Sequence, residues 1–270
     1  MAGRVEGKVA FITGAARGQG RSHALRLAEE GADIIGMDLL EPLPFVTYSG
    51  ATQDDLDETV RLVEKTGRRM IARQGDVRDL ARLKEIADEG VAEFGHLDIV
   101  CANAGIMIMH EWQDGTPEIW ETSLGTNLTG VWNTVMATAQ HLIDNGGGSM
   151  ILTSSSAGTK AQPWLNTYVA SKFGVVGVMH AFALELAEHN IRVNSLHPTG
   201  VSTEMVMHVG ELMEGFISRH PQLGGTIVNL LPIMASEPID QSNAVLWLAS
   251  DESRYVTSTT LHVDAGVTQY

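Results

Sequence analysis

The sequence predicts an α/β protein, a single-domain Rossmann-type doubly wound sheet of about seven parallel strands flanked by helices, over residues 1–270. Three observations carry that expectation. Short apolar runs alternate with helix-period segments from one end of the chain to the other. Most of these runs are rich in Val and Ile with no polar alternation, as strands buried on both faces require. Finally, 28 glycines beside only 6% aromatic residues suit a chain with many tight strand-to-helix turns.

Strands are expected at Lys8–Ile12, Asp33–Met37, Arg69–Arg73, Leu97–Ala102, Ser149–Thr153, Ile191–Leu196 and Thr260–Val263. Helices are expected at Gly20–Glu30, Asp54–Thr66, Asp79–Phe94, Pro117–Asn145, Trp164–Glu188 and Asp240–Ser250. Two stretches break the alternation. Leu40–Gln53 is a proline-bearing insertion after the second strand, and Val201–Ile239 is a methionine-rich excursion before the last helix. Connections of that length in a compact fold usually carry function or disorder. In a sheet of this kind, ligands bind at the carboxyl ends of the strands.

Composition removes several classes of function. A formal net charge of −15 disfavours nucleic acid and anionic membranes as partners, because both are held by clustered Lys and Arg. The one cysteine, Cys101, excludes an internal disulfide and a cysteine-based zinc site, and its apolar run reads as core. Ten scattered histidines, none beside a Cys or carboxylate cluster, give no metal site. No apolar run approaches the ~18 residues of a membrane helix, and Met1–Lys8 lacks the apolar stretch of a signal peptide. A cytoplasmic protein is the expectation.

The first strand runs into Gly14-Ala15-Ala16-Arg17-Gly18-Gln19-Gly20, and a helix follows. Gly14 permits a sharp turn, while Gly18 and Gly20 let backbone approach a pyrophosphate set against a helix N-terminus. The spacing Gly-x-x-x-Gly-x-Gly is weak as a bare pattern, and a simple turn would also use it. Its place between strand and helix favours a dinucleotide. Asp38 closes the second strand at about the offset where a carboxylate accepts from ribose hydroxyls, which favours NAD over NADP. Arg17 is the counter-signal, since a guanidinium in this turn suits a 2′-phosphate.

Tyr168 and Lys172 stand four residues apart, on one face of a helix. A free phenol, with a pKa near ~10, is too weakly acidic to serve as a base at neutral pH, and a nearby ammonium favours its phenolate. Such a pair is common by chance, so context decides. Ser154-Ser155-Ser156 follows a strand at its carboxyl end, Asn103-Ala104-Gly105 follows another, and Asn127 lies inside the Pro117–Asn145 segment. Taken together and in this order, these motifs resemble those of the short-chain dehydrogenase/reductase family from Gly7 to Gly266.

The resemblance implies roles. Tyr168 matches the general acid/base, Lys172 the lysine that tunes it and holds the nicotinamide ribose, and Ser155 the serine that orients the substrate oxygen. Asn127 matches the asparagine that holds a water in the proton relay. Gly14, Arg17, Gly18, Gln19 and Gly20 fall in the cofactor turn, and Asp38 at the adenosine ribose. Asp76 and Val77 match the pair at the adenine, and Asn103, Ala104 and Gly105 the turn beside the cofactor. Tyr168, Lys172, Val201 and Thr203 are implied as further cofactor contacts. In His197-Pro198-Thr199-Gly200, Thr199 departs from the family's Pro-Gly, which loosens any expectation of backbone contacts to the nicotinamide there.

The implied reaction interconverts a secondary alcohol and its ketone with NAD, by hydride transfer. Ile106, Met107, Ile108, Met109, Trp112 and Trp164, with Met205, Met207, Met213, Phe216 and Ile233 of the excursion, favour a hydrophobic substrate. The run Gly14–Asp38 and the insertion are similar to actinobacterial carveol-dehydrogenase-type enzymes, which makes a carveol-like monoterpenol the leading substrate. That subgroup is associated with the redox cofactor mycofactocin as an external partner, and its insertion is thought to cover a tightly held NAD. Leu43, Phe45, Val46 and Tyr48 would then close over the adenosine end; the alternative is an ordinary surface loop. A steroid or other ketone oxidoreductase and a catalytically silent dinucleotide-binding protein are the alternatives. Apolar faces on Pro117–Asn145 and Trp164–Glu188, with Gly174 and Gly177, suit the homotetramer common in the family.

Overall fold

The computed structural model describes residues 3–269. Its strands are β1 (Val9–Thr13), β2 (Asp33–Asp38), β3 (Met70–Gln74), β4 (Ile99–Ala102), β5 (Gly148–Thr153), β6 (Ile191–Pro198) and β7 (Thr260–Val263). They form one wholly parallel sheet in the order β3-β2-β1-β4-β5-β6-β7. The order reverses between β1 and β4, which opens a crevice beyond their carboxyl ends.

The helices are α1 (Gly18–Glu29), α2 (Gln53–Lys65), α3 (Leu80–Phe94), α4 (Pro117–Leu124), α5 (Gly130–Asp144), α6 (Asn166–Glu185), α7 (Glu204–Arg219), α8 (Pro221–Gly224) and α9 (Pro238–Ala249). Their ends follow local chemistry. Thr52 and Asp55 cap α2 reciprocally, and Asp79 accepts from the Arg82 amide to start α3. Gly95, at φ 92°, ends α3 in the left-handed conformation that glycine adopts without strain.

Successive strand residues point to opposite faces, so the sheet carries two cores. Phe11, Ile35, Val100 and Leu152 meet residues of α3, α5 and α6 on one side. Ile12, Ile34, Cys101 and Ile151 meet α1, α2 and α9 on the other. Phe11 and Ile12 are both fully buried, and truncating such a side chain typically costs about 2–5 kcal/mol.

Three elements differ from the sequence expectation. The Pro117–Asn145 segment is not one α-helix, because a π-helical turn, Gly125–Thr129, separates α4 from α5. Backbone crowding at Gly130, where a Cβ would come within 2.5 Å of Val77 Cγ2, accompanies this change of pitch. The Val201–Ile239 excursion is largely helical, holding α7 and α8. Trp164 lies before α6 rather than in it, held at φ 63°.

Among the described helices, α6 alone is long and apolar enough to cross a membrane by length and composition. It instead packs along β6 and carries Tyr168 and Lys172. About a third of that apolar stretch is buried, and Phe173 and Leu184 of α6 are exposed.

Candidate active site

The parallel register brings the carboxyl ends of β1, β4, β5 and β6 to one edge of the sheet. Asn103, just past β4, donates through Nδ2 to the Thr13 carbonyl at 3.0 Å. Thr13 Oγ1 in turn accepts from the amides of Asn103 and Ala104, each at 3.0 Å. The Asn103-Ala104-Gly105 turn is thereby locked to the end of β1. Two cavities open beside it, of about 420 and 210 Å³.

The larger cavity is floored by the glycine turn. Gly14 has φ 69°, and a Cβ on Gly20 would fall 1.9 Å from the Gly14 carbonyl oxygen, so both positions require glycine. Arg17 caps α1 with no side-chain hydrogen bond, leaving the first-turn amides available to an anion. Asp38, Asp76, Val77, Ala104 and Gly105 line the same cavity. Asp38 accepts from the Ala16 amide at 2.9 Å and the Leu39 amide at 2.8 Å. Burial raises its pKa, and those amides oppose the rise. For Asp76 burial also acts upward, but hydrogen bonds from Arg78 hold its carboxyl below the usual range. That carboxylate is thus committed to Arg78, and only its neighbour Val77 is left as an apolar surface there.

The insertion forms one wall. Leu43 and Val46 pack against Ile106, Ile108 and Ile119. Tyr48 Oη accepts from the Met107 amide at 3.2 Å, and Arg17 donates to the Ser49 carbonyl. Arg17 is therefore engaged by the insertion, which weakens its case as a 2′-phosphate ligand. Burial pushes the Tyr48 phenol up to about 12. Phe45 does not join the wall: it is 46% exposed, and a positive φ of 65° carries it away from Leu43 and Val46.

The smaller cavity contains Ser155, Tyr168 and Lys172 together. Ser155 Oγ accepts from the Ala157 amide at 3.1 Å, which leaves its own O–H free to donate. Lys172 Nζ donates to the Thr153 carbonyl at 2.8 Å and lies 5.5 Å from the Tyr168 ring centre. Burial pushes the Tyr168 phenol above its ordinary value, while the adjacent Ser155 hydroxyl pulls it down. Burial also lowers Lys172 to about 8. Without a ligand, the phenol is thus protonated, and the ammonium is the group on the point of losing its proton.

Asn127 occupies the π-helical turn and aims at the Gly105-Ile106 backbone. Its Oδ1 accepts from the Ile106 amide and its Nδ2 donates to the Ile106 carbonyl, each at 2.8 Å. The Asn127 side chain is thus tied to Ile106 through both its donor and its acceptor. Gly105 keeps this crossing open: a Cβ there would stand 3.3 Å from Asn127 Oδ1 and 3.5 Å from Lys172 Nζ.

Gln19, Asn103, Gly105, Thr203 and Met205 line both cavities, and Val201 lines the smaller. Leu165, Val209, Met213 and Ile227 make the smaller cavity's apolar wall. Several expected wall residues lie elsewhere. Trp112 is 78% exposed, Ile108 is buried beside the insertion, and Phe216 stacks on Trp164 at 5.3 Å.

Two functional contacts escaped the sequence reading. His197 hydrogen-bonds the Ser155 carbonyl through Nδ1 at 2.8 Å. Thr199 donates to Asn229 Oδ1 at 2.7 Å, and Asn229 Nδ2 donates to the Ile233 carbonyl at 2.9 Å. Thr199 thus ties the end of β6 to the excursion. The only sequence signal was the irregular His-Pro-Thr-Gly, which showed a departure but not its partners.

The model of the short chain dehydrogenases matches residues 8–214, and the chain belongs to that family. The (-)-trans-carveol dehydrogenase of Rhodococcus erythropolis is 46% identical over 276 residues, covering 98% of this chain and 99% of that protein. A short chain dehydrogenase from Mycobacterium paratuberculosis, in a crystal structure bound to NAD, superposes with a TM-score of 0.96 at 51% identity. That match covers 99% of this chain and 100% of the other. Carveol dehydrogenase from Mycobacterium avium, in complex with NAD, gives a TM-score of 0.93 at 48% identity, with the same coverage.

Proposed function

We propose that this chain is an NAD-dependent oxidoreductase that interconverts a hydrophobic, carveol-like secondary alcohol and its ketone. The observation carrying this reading is the junction of the two cavities. Ser155, Tyr168 and Lys172 stand in the smaller, the glycine turn and Asp38 in the larger, and five residues line both. The residues fit a dinucleotide. The α1 amides and glycine cradle suit a pyrophosphate, Asp38 suits ribose hydroxyls, and Gln19 Oε1 and Thr126 Oγ1, both lining the larger cavity, are buried and unpartnered among the described residues.

When bound, oxidised NAD supplies the hydride acceptor and a positive charge. In the oxidative direction, the Tyr168 phenolate takes the substrate hydroxyl proton as the hydride leaves the same carbon. Ser155 donates to the substrate oxygen, and Lys172, as ammonium, offsets the phenolate charge. In reduction Tyr168 returns the proton. Leu165, Val209, Met213 and Ile227 favour an apolar substrate body over a polyol.

The insertion's contacts, from Leu43 and Val46 to Tyr48 and Ser49, support a tightly held NAD reoxidised by an external partner such as mycofactocin. The half-exposed Trp132 and Met136 on α5 and Phe173 on α6 support self-association as a homotetramer. The deciding experiment is Tyr168→Phe assayed on monoterpenols, steroids and polyols. Turnover of apolar alcohols should fall at least about 1,000-fold while NAD binding survives. Activity confined to polyols, or unchanged in the variant, would overturn the proposal.

A further inference from the structure

Gln19 stands at the point where the two cavities meet, and its side chain lines both. Its Oε1 is buried and has no hydrogen-bond partner among the described residues. A buried acceptor left unpaired is costly, so its place invites a donor from a ligand.

The other polar side chains lining both cavities spend their donors on the chain itself. Asn103 Nδ2 donates to the Thr13 carbonyl, and Thr203 Oγ1 donates to the Val201 carbonyl. Under the dinucleotide reading, on which this inference rests, the nicotinamide must lie at this junction for a hydride to pass between the cavities. Two parts of that half carry donors, the ribose hydroxyls and the ring carboxamide. The hydroxyls can accept from Lys172, which spends one of its three N–H donors on Thr153, and can donate to the Tyr168 oxygen in the same cavity. The carboxamide N–H needs an acceptor, and a primary amide presents both a donor and an acceptor to meet it.

We propose that Gln19 is a cofactor-contacting residue whose Oε1 accepts a hydrogen bond from the carboxamide N–H of the nicotinamide. It thereby fixes the rotation of the ring about its glycosidic bond and the face presented to Tyr168. An apolar side chain at this position would fill the same space but leave the carboxamide unread.

The test is binding, separate from turnover. Protein stripped of nucleotide with charcoal is titrated with NAD and with 3-acetylpyridine adenine dinucleotide, in which an acetyl group replaces the carboxamide and removes its N–H. The proteins compared are wild type, Gln19→Met, which keeps the length without the acceptor, and Gln19→Glu, which keeps the acceptor. Wild type should prefer NAD, and Gln19→Met should shrink that preference roughly 5-fold, the worth of one hydrogen bond. Gln19→Glu should retain the preference even if added charge weakens both ligands. If Gln19→Met weakens both equally or neither, the carboxamide contact is wrong while the NAD reading stands. If wild type binds neither dinucleotide, the NAD reading fails and this inference falls with it.

Discussion

His197 donates from Nδ1 to the backbone carbonyl of Ser155 over 2.8 Å, while its Nε2 accepts from Ser195 Oγ at 2.8 Å. A carbonyl can only accept, so this network fixes the neutral ring with its proton on Nδ1. Burial lowers the His197 pKa to about 4 and keeps that form at neutral pH. The ring therefore pins the backbone that carries Ser155. His197→Phe should lower kcat about 5-fold with little change in NAD affinity, since one hydrogen bond is worth about 1 kcal/mol. His197→Gln, which can still donate, should recover part of the loss. Steady-state kinetics with separate kcat and KM values checks this, and a purely structural role would move stability alone.

The same burial makes the fold sensitive to acid. His197 titrates at about 4 and His23, enclosed between α1 and α9, at about 3, against an ordinary 6.5. The unfolded chain thus binds protons at these two sites before the folded chain does. Their contribution is fully present above pH 6.5 and is lost as pH falls towards 4 and 3. At pH 5 each ring should have forfeited about 2 kcal/mol. Thermal unfolding should show a falling Tm from pH 7 to pH 5, with a flatter slope in His23→Leu. Parallel slopes in the two proteins would remove His23 from the account.

Asp38 bears on cofactor choice. Its two oxygens are oriented by the Ala16 and Leu39 amides, so the carboxylate cannot easily swing away from a ribose in the larger cavity. A 2′-phosphate placed there meets a like charge, worth about 1–4 kcal/mol at 4 Å in surroundings from watery to surface-like. Asp38→Ser should improve NADP binding on the order of 10-fold or more and weaken NAD, as measured by competitive titration. Arg17 should not by itself reverse that preference, because it is engaged with Ser49.

How far these features could be read from sequence depended on their range. The seven strands were legible within a residue or two because most are apolar runs closed by a glycine, asparagine or serine turn. Tyr168, Lys172 and Ser155 were legible because their spacing is local to one strand end and one helix. Asn127 was legible as a residue but not as a geometry: it sits in a π-helical turn beside the close approach of Gly130 to Val77, a contact between distant segments. His197 and Thr199 stood in plain view in one tetrapeptide, yet their partners Ser155 and Asn229 are set only by the sheet and the excursion. The excursion's helix was hidden because its methionines read equally well as pocket wall and as helix face.

That helix supplies the last prediction. Thr199 Oγ1 holds Asn229 at 2.7 Å, Asn229 holds the Ile233 carbonyl, and Arg219 pairs with Glu111 at 2.9 Å on the far side. Between these two anchors α7 contributes Met205, Val209 and Met213 to the smaller cavity. Thr199→Val keeps the shape but removes the donor, leaving Asn229 Oδ1 without its partner. The exposed Arg219–Glu111 pair is worth little alone, so the Thr199 anchor should dominate. Loosening it should raise KM for an apolar alcohol roughly 5-fold, a cost of about 1 kcal/mol, and speed proteolysis near residues 228–234. NAD affinity should change less than KM, because the glycine turn and Asp38 lie outside the anchored segment, although Thr203 and Met205 within it line both cavities. If KM and proteolysis both stay at wild-type values, the excursion is held by its apolar packing and Thr199 is a bystander.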